Sequence, residues 1–340
     1  MQYQYYIMLH YISLFIDNQG LCSLKEAALK RLDHSLRPGS RVNYKAYFAA
    51  FMLFATQFQV DIHQLHYSHV LSFIEWLVMS NLSHATICNY LSGIKYYCNL
   101  YNLSCDVFDN PHVNKMLVAC ARSVPAKLKN KHVFTPQIMS IIVQSTVISS
   151  HPSAYSALFL LAFHGFFRIS NLLPPSHSSF NPLQHLARGD VIFAPPGVHI
   201  IIKWSKTLQS SNSCKIIKLP TIPNSTLCPT TALRQFIALN PIPKNQPFFS
   251  VSSNQSITSI TQKQARSTLS SILTHIGLNS SHYSFHTFRH SGATLAFQLG
   301  VPLQDIQAHG TWASQAVWHY TSTANNSNIP TTFSNYFSNH

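Results

Sequence analysis

The spacing of apolar side chains changes twice along the chain. From Arg41 to Leu100 it is helical: VNYKAYFAAFMLFATQF, SHVLSFIEWLVMS and SHATICNYLSGIKYYCNLYN each place apolar residues three and four apart. Ser68 and Ser83 stand where N-caps are expected for the last two. These segments predict a small helical bundle. RSVPAKLKNKH, residues 122–132, follows with four basic side chains, one Pro and little apolar content, and reads as a linker able to touch phosphates. Thr135-Pro136 then reads as a helix start, with Thr as N-cap and Pro at the first helical position. A second apolar helix is expected through SALFLLAFHGFF to Arg168.

Beyond Arg168 the period shortens. Asp190–Phe193, Val198–Lys203 and Lys215–Leu219 are short β-branched runs separated by Pro195-Pro196-Gly197 and by polar SKTLQSSNS, which predicts a three-stranded antiparallel sheet. Helical spacing returns at 229–239, 261–276 and 287–299, and the Ser/Asn-rich stretch 250–259 reads as a loop. The fold expected is mainly α with a small antiparallel β-sheet. It comprises a helical unit over 1–121, best defined from about residue 35, a basic linker over 122–133, and an α+β unit over 134–340 with a C-terminal tail.

Charge narrows the chemistry. The 340 residues are 46% hydrophobic, enough for two cored domains, and carry 23 Lys+Arg against 9 Asp+Glu, a formal net charge of +14. Residues 134–340 hold eleven of the basic residues and two acids, Asp190 and Asp305. Two-metal nucleases and polymerases, like glycosidases, gather several carboxylates in one site, so neither chemistry assembles from this region alone. A basic, acid-poor unit suits a polyanion, and nucleic acid is the commonest. Seven dispersed Cys without a CxxC point to reduced thiols, as in the cytosol or nucleus. No stretch reaches the roughly 18–20 apolar residues of a membrane span. Met1–Ile16 lacks the basic start and cleavage site of a signal peptide. A soluble, unsecreted protein is expected, nuclear in a eukaryote and cytoplasmic otherwise, with no membrane partner.

Three segments concentrate reactive side chains: GFFRISNLL (165–173), KWSKT (203–207) and HTFRHSGATLAFQLGVPLQDIQAHGTWASQAVWHY (286–320). Together they hold two Arg, two Lys, several His, three Trp and a Tyr, with a single acid, Asp305. This set suits phosphoryl transfer without metal. Guanidinium forks grip the non-bridging oxygens of a phosphodiester as negative charge gathers there. A Tyr attacks phosphorus once a neighbour takes its proton, and a Lys at a mobile turn protonates the leaving alkoxide. A competing pattern is the recurrence of His282, His286 and His290 every four residues, a Zn²⁺ geometry if one helix carries all three. No carboxylate or Cys lies close in sequence, and the helix is expected to start only near Ser284–Thr287.

The order of these residues resembles the tyrosine recombinases, the phage-integrase-type site-specific recombinases: Arg, Lys in a β-turn, His-x-x-Arg opening a helix, Gly-x-Trp, then Tyr near the C-terminus. HTFRHSGAT is the most specific piece, and the Trp312-to-Tyr320 spacing in GTWASQAVWHY resembles the eukaryotic Crypton and DIRS-type mobile-element branch. Residues 35–120 resemble the SAM-like core-binding domain and 134–320 the catalytic domain. The resemblance implies that Arg168 and Arg289 clamp the scissile phosphate and that Lys206 protonates the leaving 5′ oxygen, with Lys203 as its neighbour and competitor. His286 would assist proton transfer or hold a non-bridging oxygen, with His290 in support. Trp312 fills the position that other members give to a second His, with His309 as the alternative, and Tyr320 forms a 3′-phosphotyrosyl link. No cofactor or metal is then required. Where many members carry Glu or Asp three residues after the first Arg, this chain has Asn171, an amide that hydrogen-bonds without supplying charge; this bears directly on activity.

The partner so implied is double-stranded DNA, gripped by a C-shaped clamp, with synapsis by four protomers and a tail carrying Phe333, Tyr336 and Phe337 docking on a neighbour. Arg41, Lys45, Lys95, Lys127, Lys129, Lys131 and Lys203 are expected to give sequence-independent phosphate contacts. The rival readings are a domesticated or inactive DNA-binding protein, a type IB topoisomerase-like enzyme and a helical RNA binder.

Overall fold

A computed structural model describes residues 19–123, 132–204, 214–253 and 256–312. The chain divides into two compact units, Met1–Leu128 and Lys129–His340.

The first unit is built from α1 (Gln19–Asp33), α2 (Pro38–Gln57), α3 (Tyr67–Met79), α4 (His84–Leu100) and α5 (Pro111–Ser123). Phe51, Phe54, Val70, Phe73, Ile74, Ile87 and Ile94 form its core, so the spacing read in the sequence is the buried stripe of α2, α3 and α4. Ser83 caps α4 as expected, accepting from the Thr86 N–H at 3.3 Å. The cap of α3 is His66 rather than Ser68: the His66 ring Nδ1 accepts from the Ser68 N–H at 3.4 Å, and the His69 ring accepts from the His66 N–H at 3.2 Å. An imidazole nitrogen does here what a hydroxyl usually does. Over its described side chains, residues 23–33, helix α1 has no buried position and leaves Leu24 and Leu32 exposed. Polar contacts fasten its end instead, with the Tyr96 hydroxyl donating to the Leu32 carbonyl at 2.8 Å and the Tyr97 hydroxyl to Asp33 Oδ1 at 3.0 Å.

In the second unit α6 (Pro136–Ser145) starts at the expected cap, Thr135 accepting from the Ile138 N–H at 3.3 Å. Helix α7 (Pro152–His164) is buried on nearly all sides. It stops short of Arg168, because Phe166 adopts a left-handed φ of 49° and the Phe167 N–H turns back to the Ala162 carbonyl at 3.1 Å, closing the helix in a Schellman turn. A four-residue helix, α8 (Ile169–Leu172), follows. Strands β1 (Val191–Ala194), β2 (Gly197–Ile202) and β3 (Lys215–Pro220) pair antiparallel in that order, as the alternation predicts. Ile200 stands opposite both Val191 and Ile217 on the buried face, and Lys215 opposite Ile202 at the open end.

Helices α9 (Pro229–Leu239), α10 (Gln262–His275), α11 (His286–Gln298) and α12 (Leu303–Gly310) follow among its described residues. The stretch expected as a loop is a hairpin, β4 (Ser250–Ser253) with β5 (Ser256–Ser259). Small hydroxyl residues hid it, because its order comes from backbone pairing and from buried Ser250, whose hydroxyl donates to the Pro247 carbonyl at 2.9 Å. Among the described residues no helix is long and apolar enough to cross a membrane.

Helix α11 lies hard against the end of α7. A Cβ on Gly292 would stand 2.1 Å from the Phe163 carbonyl oxygen and 2.7 Å from the Phe166 ring, so only glycine permits this approach. Gly292→Ala should cost about 1–3 kcal/mol of stability, the usual range for overpacking, measured by denaturant unfolding. An unchanged midpoint would mean that the two helices are not in this contact.

Candidate active site

The site centres on Arg289, which α11 carries into the interior with 1% of its surface exposed. One guanidinium nitrogen, Nη1, donates to the Phe166 carbonyl, and the guanidinium carbon lies 3.8 Å from the centroid of the Trp312 ring. The left-handed turn at Phe166 aims that carbonyl, while the indole gives the cation an electron-rich face. Trp312 is placed by its own turn. Thr311 takes a φ of 58°, the Thr311 N–H reaches the Ala308 carbonyl at 3.2 Å and the Trp312 N–H the Gln307 carbonyl at 3.1 Å, so the indole folds back over Gly310. A Cβ there would lie 1.7 Å from the ring. This is the physical content of the Gly-x-Trp sequence.

Arg168 is half-buried at the start of α8, two residues beyond the carbonyl that holds Arg289. Its backbone N–H donates to Asn171 Oδ1 at 3.2 Å, and Asn171 Nδ2 donates to the Trp204 carbonyl at 3.0 Å. Buried Asn171 thus ties the Arg168 turn to the exit of β2. A carboxylate accepts the first bond but cannot donate the second when ionised, so the amide has a structural task at this position.

The other candidates divide. Lys203 is engaged by Asp190 at 2.7 Å, whose same oxygen accepts the Ala187 N–H at 2.8 Å. His286 is exposed on the first turn of α11 and His290 is buried three residues into the same helix's interior stretch. His282 lies in a separate 3₁₀ turn, stacked on His132 at 4.7 Å, so the three histidines do not share a helix. His309 Nε2 bonds to the His164 carbonyl at 2.9 Å and its ring meets Phe166 edge-on, whereas Trp312 is the residue that faces Arg289. Lys206 and Tyr320 lie outside the described residues, as do Lys127, Lys129 and Lys131. In the first unit Arg41 and Lys45 stand 3.3 and 3.7 Å from Asp33, and Lys95 pairs with Asp109. These basic side chains therefore sit beside carboxylates.

Two groups escaped the sequence reading. His164 is buried beneath the site, and burial, reinforced by neighbouring His309, pushes its imidazole down to about 3. Burial lowers His309 as well, with the charges of Lys215 and Arg289 adding to it. Lys215 donates its ammonium proton to the Ala308 carbonyl, and burial lowers its pKa. Among the described residues no group of three or more His, Cys, Asp or Glu is placed to hold a metal ion.

Several solved structures share this architecture. A lambda integrase dimer bound to a COC′ core site aligns over 91% of this chain and 80% of its own, with a TM-score of 0.57 and 12% identity. The Tn1549 transposon integrase, in complex with a circular intermediate DNA, aligns over 87% of this chain and 95% of its own, with 0.56 and 14%. The XerH site-specific recombinase, bound to a palindromic difH substrate, aligns over 78% and 71%, with 0.53 and 19%. The fold is that of the tyrosine recombinases. No protein-family model matches the chain, and no curated protein does. At such identities the tyrosine recombinase likeness is one of architecture.

If the face of the indole is what supports Arg289, Trp312→Phe should be tolerated best and Trp312→Ala least, with Trp312→His between them. The alanine variant should lose about 3–5 kcal/mol, read by denaturant unfolding; equal losses for Phe and Ala would refute the stacking role. His164 gives a second test. Its folded form refuses a proton that the unfolded chain accepts, so stability should fall as pH drops below the ordinary imidazole range towards 3, by up to about 1.4 kcal/mol per pH unit. The melting temperature should therefore fall further between neutrality and mild acid in the wild type than in His164→Gln.

Proposed function

We propose that the protein is a tyrosine recombinase that cuts and rejoins duplex DNA through a 3′-phosphotyrosyl intermediate, on behalf of a mobile element of the Crypton or DIRS type. The observation that carries this reading is the seating of Arg289 between the Phe166 carbonyl and Trp312, next to the Arg168 turn, within the recombinase fold. Duplex DNA as partner is supported by the DNA-bound state of the lambda, Tn1549 and XerH neighbours.

In the proposed reaction the Tyr320 hydroxyl attacks the scissile phosphorus while His286, exposed at the mouth of α11, takes or relays its proton. Arg168 and Arg289 stabilise the charge gathering on the non-bridging oxygens. Lys206 gives a proton to the 5′ oxygen as the P–O bond breaks. The phosphotyrosyl ester conserves the energy of the broken bond, so the 5′-hydroxyl of a second strand reverses the attack and restores Tyr320. Strand exchange between duplexes requires several protomers at once, and we assign synapsis to four copies on DNA. In a eukaryotic host the site of action is the nucleus.

A second reading is favoured by the depth of Arg289, at 1% exposure: a protein that keeps the fold and binds DNA without cutting it. One experiment separates the two. Purified protein is incubated with supercoiled plasmid, or with nicked duplexes from the flanks of its gene, without metal. SDS is then added, and protein covalently held on DNA is measured beside Tyr320→Phe. The recombinase reading expects an adduct in the wild type, none in the variant, and unchanged non-covalent retention of DNA in both. Retention with no adduct in either protein supports the second reading.

A further inference from the structure

Strand β3 and helix α12 meet through a polar contact that the proposed chemistry does not use. Lys215 opens β3 opposite Ile202, directly after the segment of sequence that carries Lys206. Its ammonium donates to the carbonyl of Ala308, in the last turn of α12. That carbonyl already accepts the Thr311 N–H at 3.2 Å and belongs to the negative end of the helix dipole, so a cation there takes its second lone pair and meets a favourable field. On the same turn His309 is fastened to the His164 carbonyl at 2.9 Å, and the next residues fold back to bring Trp312 against Arg289. The side chain is half-buried, and burial disfavours its charge. An ammonium drawn out of water in this way, onto a carbonyl, is a built contact rather than a solvated surface charge.

We infer that Lys215 is a positioning residue for strand cleavage, a strut between the strand that follows Lys206 and the α12 turn that delivers Trp312 to Arg289. The inference rests on the recombinase reading. The groups that must converge on one phosphate come from separate elements: Arg168 from the start of α8, Arg289 from α11 and Lys206 from the connection between β2 and β3. Trp312 hangs from α12. Effective catalysis demands that such groups be held to within a fraction of an ångström, and small displacements are costly. Without Lys215 the last turn of α12 loses its tie to the sheet, and the platform under Arg289 shifts with it.

The test uses the full-length protein on whichever plasmid or nicked flanking duplex yields the wild-type adduct. Non-covalent retention of DNA and the rate of adduct formation at saturating protein are measured separately. Lys215→Met should slow the adduct about tenfold or more while leaving retention within about twofold. Lys215→Arg, which keeps the charge and the donor, should recover most of the rate. Lys218→Met removes the same charge from an exposed position on the same strand and should change neither reading. If melting shows that Lys215→Met is unfolded, Lys215→Gln takes its place, with a neutral and shorter donor, and is expected to slow the reaction to an intermediate degree. A wild-type rate in Lys215→Met or Lys215→Gln overturns the inference, as does equal slowing in Lys215→Arg. So does a loss of retention shared by Lys215→Met and Lys218→Met with no change in rate, which would make Lys215 one more phosphate contact. Absence of an adduct in the wild type overturns the recombinase reading and this inference with it.

Discussion

A buried guanidinium needs its charge answered, and at Arg289 the interior supplies a backbone carbonyl, from Phe166, and an aromatic face, from Trp312. Both are weaker than a carboxylate and neither neutralises the charge. The Phe166 carbonyl thus stabilises the cation through its dipole and the indole through its quadrupole. The rest of the site follows from it. The carbonyl is aimed by a left-handed residue, the indole is delivered by a second left-handed residue at Thr311, and Gly292 allows α11 to come close enough for the guanidinium to reach across.

The same economy governs acids elsewhere in the second unit. Asp190 is engaged by Lys203 and by the Ala187 N–H, and Asp305 lies in the first turn of α12, where the helix dipole favours it. In the first unit Asp33 gathers Arg41, Lys45 and the Tyr97 hydroxyl at the junction of α1 and α2, where it fastens the end of α1. In both units an acid answers a basic neighbour and a backbone or hydroxyl donor together.

Much of this was legible in the letters. Apolar spacing marked α2, α3, α4 and the later helices, and alternation marked β1 to β3, because packing enforces both. It failed where packing does not decide. Helix α1 is fastened by tyrosine hydroxyls, β4 and β5 by backbone pairing through serines, and α12 is only eight residues long with Ile306 as its deeply buried aliphatic side chain. At the site the pattern of Arg168, Arg289 and Trp312 could be read, but what holds them could not. Arg289 is bonded to the Phe166 carbonyl, Asn171 to that of Trp204, Lys215 to that of Ala308 and His309 to that of His164. A backbone carbonyl has no letter of its own, so a site built on four of them is only half visible in sequence.

The turn at the end of α7 shows how strictly order, and not only content, is specified. Gly165 and Phe166 are adjacent, yet it is the phenylalanine that adopts the left-handed conformation, at an intrinsic cost of about 1 kcal/mol, while the glycine has ordinary dihedrals. Glycine is required at 165 for a different reason: a Cβ there would fall 2.1 Å from the Phe167 ring. Exchanging the two residues would preserve composition and relieve the backbone, yet it would drive one aromatic ring into another and withdraw the Phe166 ring from beside Trp312. In this corner of the protein the two residues do not commute.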